Sequence, residues 1–252
     1  MGGSRARVVG VAGVRGGLGS SVTAAFLAQR AAAAGRGPCL LVEVDGRADA
    51  LLGIRGVPGP RWADLPYADG PFRPALAHAL PTWRGLGVLG ADERGAPGVA
   101  QVEAVLTALE SGAGTMVVDL PPAGSVLFAH LVPRCDELLV MIGRDALSQA
   151  CLRGLLAVSA ARPGPGTDAH PALGLLVREG AGARGPDALA RAAGLPLVGR
   201  VPDCRSIRRD VAAGFPPRAG RALQRAITGI AGRLGLLPAT GVGAPADPGA
   251  SW

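Results

Sequence analysis

Residues 7–25 read Arg7-Val8-Val9-Gly10-Val11-Ala12-Gly13-Val14-Arg15-Gly16-Gly17-Leu18-Gly19-Ser20-Ser21-Val22-Thr23-Ala24-Ala25. This stretch decides the fold. Residues 7–12 are a short β-branched run of the kind that makes a strand, and the run stops at a glycine-rich turn over residues 13–19. Residues 20–34 then read as a helix, with Ser20 at its start, an Ala-rich body, and Val22, Phe26 and Leu27 able to share a face. Gly35-Arg36-Gly37-Pro38 ends it, and residues 39–44 are a second apolar run without alternation, the mark of a strand covered on both faces. Strand, turn, helix and strand in this order make a βαβ unit with a right-handed crossover.

Outward from that unit the alternation continues. Residues 87–89, 115–120, 137–142, 172–177 and 197–201 read as strands; residues 99–109, 146–161 and 223–234 read as helices. The Pro-, Gly- and Arg-dense residues 53–74 read as an irregular surface excursion, and residues 238–252 as a disordered tail after a single domain over residues 1–237. The expectation is an α/β fold, a mainly parallel twisted sheet with helices on both faces.

The chain has 252 residues, of which Gly 40 and Pro 22 make about a quarter, yet 48% hydrophobic content is more than a disordered chain carries. With aromatics at 3%, the core has to be built from Ala, Val and Leu. All 26 basic residues are arginine, which excludes Schiff-base chemistry and any mechanism resting on a lysine ammonium. The net charge of +7 is weak evidence for a nucleic-acid partner when arginine is the only base. Cys39, Cys135, Cys151 and Cys204 show no C-x-x-C or metal spacing and read as small hydrophobes in a reducing compartment. No leader-like segment and no run of about 20 apolar residues is present, so the expectation is a soluble intracellular protein.

In a parallel sheet, ligands bind beyond the carboxyl ends of the strands. Three motifs stand at such ends. The turn from Val14 to Ser21 lies between the first strand and the first helix, where backbone N–H groups and the helix N-terminus favour an anion. Asp45 follows the second strand, and Asp119 closes residues 115–119 ahead of Pro121-Pro122. A glycine turn alone is as well explained by a tight connection. A hydroxyl (Ser21) with two carboxylates (Asp45, Asp119) is the set that holds hydrated Mg²⁺ against phosphates, and together the motifs point to a nucleotide-type site.

These residues resemble the ParA/MinD family of P-loop ATPases. Arg15-Gly16-Gly17-Leu18-Gly19-Ser20-Ser21 is similar to its deviant Walker A turn, residues 40–45 to its first switch, residues 117–122 to its second, and residues 195–203 to a late segment ending in Pro-x-Asp. Within that family the pattern looks most like the actinobacterial CpaE/TadZ-type septum-site-determining proteins of Flp/Tad pilus or secretion loci. The resemblance covers roughly residues 5–237 and implies ATP and Mg²⁺ as cofactors. It implies nucleotide contacts from Arg15, Gly16, Gly17, Leu18, Gly19, Ser20, Ser21 and Val22, and from Arg178 and Pro202 later in the chain. Ser21, Asp45 and Asp119 would hold the metal, with Asp45 orienting the attacking water. The departures are as informative. Ser20 stands where the family has its phosphate-gripping lysine, Arg15 where it has the lysine that crosses a dimer, Val14 where it has a glycine, Glu43 in place of Asp, and Val177 at an adenine-contacting Asn position. Loss of a phosphate-compensating charge predicts weak or absent hydrolysis.

The resemblance also implies a homodimer and protein partners at a division or secretion site. Arg205, Arg208, Arg209, Arg218, Arg221 and Arg225 are either a weak non-specific DNA surface or a solvated face. Leu223, Ile227, Ile230, Leu234 and Leu237 form an apolar stripe that packs on the domain or lies peripherally on a membrane. Three functions stay open: a nucleotide-dependent positioning or regulatory switch, a nucleotide-independent pseudo-ATPase scaffold, and a ParA-like DNA-binding partition protein.

Overall fold

A computed structural model describes residues 5–35, 37–65, 75–160, 170–182 and 184–238. Strand β1 (Arg7–Gly13) leads through the glycine loop into helix α1 (Ser20–Ala32), then β2 (Cys39–Glu43) and the short α2 (Ala48–Leu52). A turn of 3-10 helix at Trp62–Asp64, α3 (Leu76–Ala79), β3 (Thr82–Trp83), β4 (Leu86–Leu89) and α4 (Val99–Gly112) follow. The second half runs β5 (Thr115–Asp119), α5 (Val126–Leu131), β6 (Glu137–Ile142), α6 (Ala146–Ala160), β7 (Ala172–Arg178), α7 (Pro186–Ala193), β8 (Leu197–Val201), α8 (Arg205–Ala212) and α9 (Arg221–Arg233).

The strands form one eight-stranded sheet in the order β3-β4-β2-β5-β1-β6-β7-β8. Every pairing is parallel except the β3–β4 hairpin. The expected mainly parallel α/β architecture is what forms. Because side chains alternate across a strand, neighbours such as Val8 and Val9, or Leu40 and Leu41, enter opposite cores. One core is closed by α4, α5, α6 and α7, the other by α1, α2, α8 and α9. The two covered faces account for the uninterrupted apolar runs. Strand addition changes direction around β1, so its carboxyl end, which opens into the glycine loop, faces the crevice of the sheet.

One expectation changes in part, and one alternative is decided. Residues 53–65 are irregular and largely exposed, as expected, but Ile54, Trp62 and Leu65 are buried, and so is the Arg61 side chain. Residues 66–74 and 239–252, which include most of the expected tail, lie outside the described residues. The apolar stripe of α9 is not available to a membrane in this conformation, because Leu223, Ile227, Ile230 and Leu234 are packed in the core. Among the described residues no helix is long and apolar enough to cross a membrane.

Arg61 explains why part of a polar stretch is inside. Its Nε donates to both oxygens of Asp49 (3.0 and 2.9 Å), Nη1 to the Gly59 carbonyl, and Nη2 to the carbonyls of Ile54 and Val57. The planar guanidinium satisfies a bend of chain that has no ladder to satisfy it. Arg61→Ala should therefore strand a buried carboxylate and three carbonyls, lowering stability by about 3–5 kcal/mol. Urea denaturation checks the loss, and the double change Arg61→Met/Asp49→Leu should recover most of it.

Candidate functional site

The glycine loop is curled, not extended. Gly17 (φ 78°) and Gly19 (φ 88°) occupy the left-handed region, where a side chain is strained. A Cβ at Gly16 or Gly17 would meet open space, so the rim of the loop faces outward, while Leu18 (2% exposed) anchors it in the core. Gly19 precedes α1 without a side-chain cap, and no acid stands in the first turn of that helix. The amides at the start of a 13-residue helix are therefore free to face an anion. Thr23 returns its amide and its hydroxyl to the Gly19 carbonyl (2.9 Å each), which pins the junction.

The acids meet where β1, β2 and β5 end. Asp119 lies opposite Glu43 on one side and opposite Val11 on the other. It is 8% exposed, and its Oδ1 has no hydrogen-bond partner, unlike the other buried side-chain polar atoms of the described residues. Burial pushes its carboxyl up from 3.8 to about 7, against the opposing effect of a hydrogen bond from the Ser21 hydroxyl. The nearby Glu43 and Asp45 charges push the same way as burial, and Arg47 opposes them. An orphaned carboxylate oxygen beside a hydroxyl fits a hard cation, which takes oxygen ligands.

Glu43 is occupied differently. Its buried carboxylate accepts the amides of Asp45, Arg47 (3.2 Å) and Ala48 (3.4 Å), and burial raises its pKa. The longer acid thus caps α2 and shapes the loop carrying Asp45. The Trp62 indole donates to the Glu43 carbonyl (2.7 Å) and holds the strand end from behind. Asp45 itself is exposed and paired with Arg47 at 2.9 Å.

A second group surrounds a cavity of about 210 Å³ beside the loop, whose lining includes Gly17, Gly19, Val22, Arg178, Pro202 and Arg208. Arg178 Nη1 donates to the Leu18 carbonyl and Nη2 to Asp203 (2.7 Å), so this guanidinium braces the loop from the cavity side. It passes so close that a Cβ at Gly19 would sit 2.7 Å from Nη1. Arg15 stands apart from both groups. Its Nη2 donates to Asp145 (3.0 Å) and its Nε to Ser148 (3.1 Å). Asp145 is held far below the usual carboxylate range, first by the Ser148 amide and then by Arg15. Ser20, the first residue of α1, is partly buried, and Val177 is fully buried in the core of β7.

The structure thus brings Ser21, Asp45 and Asp119 into one electrostatic group, and Gly17, Gly19, Val22, Arg178 and Pro202 into another on the same loop. Sequence reasoning missed the Asp145–Ser148 seat of Arg15, the consumption of Glu43 by backbone amides, and Arg208 in the cavity wall. Only the first had a local signal, an Asp three residues before a Ser at a helix start. Among the described residues no group of three or more His, Cys, Asp or Glu side chains is placed to hold a metal ion. The buried thiols of Cys39 and Cys135 are pushed up to about 12, in keeping with their reading as inert hydrophobes.

No protein-family model matches the chain. Uncharacterized proteins of two Mycobacterium tuberculosis strains are 34% identical over 245 residues, 94% of this chain; the chain spans 65% of their length. Among solved structures, a ParA family ATPase from Chlorobium tepidum TLS superposes with a TM-score of 0.74 at 17% identity, covering 92% of this chain and 98% of the other. The septum site-determining protein MinD of Pyrococcus horikoshii OT3, complexed with Mg-ADP, superposes with a TM-score of 0.67 at 14% identity, covering 91% and 96%. With its eight-stranded, mostly parallel sheet flanked by helices, the chain has the fold of the ParA and MinD ATPases.

Proposed function

We propose that this chain is a degenerate ParA/MinD-type nucleotide-binding protein that acts as a spatial positioning or regulatory switch, binding Mg-ATP and hydrolysing it weakly or not at all. The observation that carries the reading is the buried, unpartnered Oδ1 of Asp119, on a carboxyl that Ser21 influences from the first turn of α1. In this reading the amides of Gly16 to Ser21 cradle phosphate oxygens, and Val22, Arg178 and Pro202 border the nucleoside. Ser21, Asp45 and Asp119 are the residues that would hold Mg²⁺. The cation supplies charge neutralisation on the phosphate oxygens. Asp45 orients water at the mouth of the site, and burial of Asp119 keeps bulk water from the metal side. Ser20 contributes no positive charge, and Arg15 and Arg178 are engaged with Asp145 and Asp203, which is why turnover is expected to be slow.

The switch would act through a nucleotide-bound homodimer that recruits division-site or pilus and secretion proteins. The engagement of both arginines, together with the buried Val177, favours as second reading a scaffold that dimerises without nucleotide. Light scattering separates the two. A monomer that becomes a dimer only with Mg-ATP supports the switch; a dimer indifferent to nucleotide supports the scaffold. The exposed arginines of α8 and α9 leave weak DNA binding as a third reading, in which affinity for duplex falls steeply with salt.

A further inference from the structure

We infer that the groove between α1, α9 and the β3–β4 turn is a second anion site, built for a soluble phosphorylated small molecule and separate from the glycine loop. The first observation is a strained residue. The hairpin joins Trp83 to Leu86 through Arg84 (φ 51°) and Gly85 (φ 79°), a two-residue turn with both central residues left-handed. Such turns take Asn-Gly, Asp-Gly or Gly-Gly. Arg84 is the one non-glycine among the described residues with positive φ. A residue that breaks the local turn rule points to a use for its side chain.

The second observation is where its side chain goes. The Arg84 guanidinium lies 4.8 Å over the Trp83 ring, and its Nη2 donates to the Pro217 carbonyl (3.3 Å). It borders a cavity of about 300 Å³ whose lining includes Phe26, Gln29, Arg30, Gln224 and Thr228. Arg30 is aimed by its Nε bond to the Thr228 hydroxyl (3.2 Å), leaving its terminal nitrogens for the cavity. A neighbouring hollow of about 500 Å³ shares Gln224 and Thr228 and adds Arg221 and Arg225. Neither lining contains an acid, and none of these four arginines stands in an ion pair with a carboxylate of the described residues. Elsewhere among the described residues, several arginines that face a cavity are neutralised, as Arg94 is by Asp64 and Asp92 and Arg61 by Asp49.

Guanidinium groups without counter-charge around one hollow, with amide and hydroxyl donors between them, suit a phosphate with two or more negative charges. A cavity at the lower end of ligand-pocket sizes admits a compact diphosphate or phosphomonoester. Concavity favours this over a polymer lying on a surface. The groove is about 15 Å along α1 from the glycine loop, at 1.5 Å per residue over ten residues, so the two sites can fill independently.

Inorganic pyrophosphate titrated calorimetrically into the full chain without metal tests this. The expected result is saturable binding that weakens at least tenfold in both Arg84→Asn and Arg30→Gln. Arg84→Asn should melt no lower than the native chain, since Asn suits the turn, so lost binding cannot be laid to lost fold. Asp119→Asn should leave this binding unchanged, which keeps failure here distinct from failure of the nucleotide reading. Equal affinity in the native chain and both variants, or no heat at millimolar pyrophosphate, overturns the inference. So does an absence of pyrophosphate binding accompanied by Arg84-dependent binding of duplex DNA or of phosphatidylglycerol vesicles, which would make the anion a polymer's or a lipid's.

Discussion

Ser20→Lys is expected to raise ATP turnover by about 10²-fold or more over the native chain, the size of effect that one transition-state contact commonly carries. The argument is one of charge. As the γ-phosphoryl group moves, negative charge grows on oxygens that the loop meets only with neutral amides, since Ser20 carries no charge and the chain has no lysine. The nearest cations are committed elsewhere. Arg178 spans the Leu18 carbonyl and Asp203, and Arg15 is seated on Asp145 and Ser148. A guanidinium is also planar and longer than an ammonium, so neither arginine reproduces a lysine at the first residue of α1. Gly13 lies against Ser20, where a Cβ would come 3.0 Å from the Ser20 hydroxyl, so it is the missing side chain at Gly13 that leaves space beside residue 20. Steady-state phosphate release by both proteins decides the matter. A variant as slow as the native chain would mean that the rest of the catalytic frame is also absent.

The frame was legible in the sequence and much of the site's wiring was not. Strands such as residues 137–142 and 197–201 fell where read, because burial on both faces leaves continuous apolar runs with sharp ends. Asp45 and Asp119 were legible for the same reason, as carboxylates closing the apolar runs of β2 and β5. The short helices α2, α5, α7 and α8 went unread: at 5, 6, 8 and 8 residues they are too brief for a periodic pattern. α8 hides further behind Arg205, Arg208 and Arg209, with only Ile207 fully buried. The burial of Arg61 and Trp62 within residues 53–65 was not legible, because composition shows Pro, Gly and Arg but not the Arg61–Asp49 pair. The Asp145–Ser148 pair leaves a local trace, but Arg15 lies 130 residues from Asp145, so its place on that seat was not legible.

Asp119→Asn is expected to weaken Mg-ATP binding by about 100-fold, because it replaces a potential metal ligand with a neutral amide. It should also change how the protein responds to pH, and the sign follows from the direction of the shift. The folded chain holds the Asp119 proton up to about 7, the unfolded chain only to the ordinary 3.8, so the folded state binds more protons between those values. Stability contributed by this group is therefore present at low pH and is lost as pH rises through about 7. Removing the titratable group should flatten that loss, visible as a smaller fall in melting temperature from pH 5 to pH 8 in metal-free protein. Conversely, Mg-ATP binding to the native chain should strengthen over the same range, since the cation is held by the carboxylate and displaces its proton.

Calorimetric titration of ATP at pH 8, with Mg²⁺ and with chelator, into the native chain and Asp119→Asn tests the central claim most directly. The account predicts saturable binding to the native chain that chelation and the substitution each weaken by a similar factor. Native binding that ignores both changes, or no heat at millimolar Mg-ATP, would contradict it.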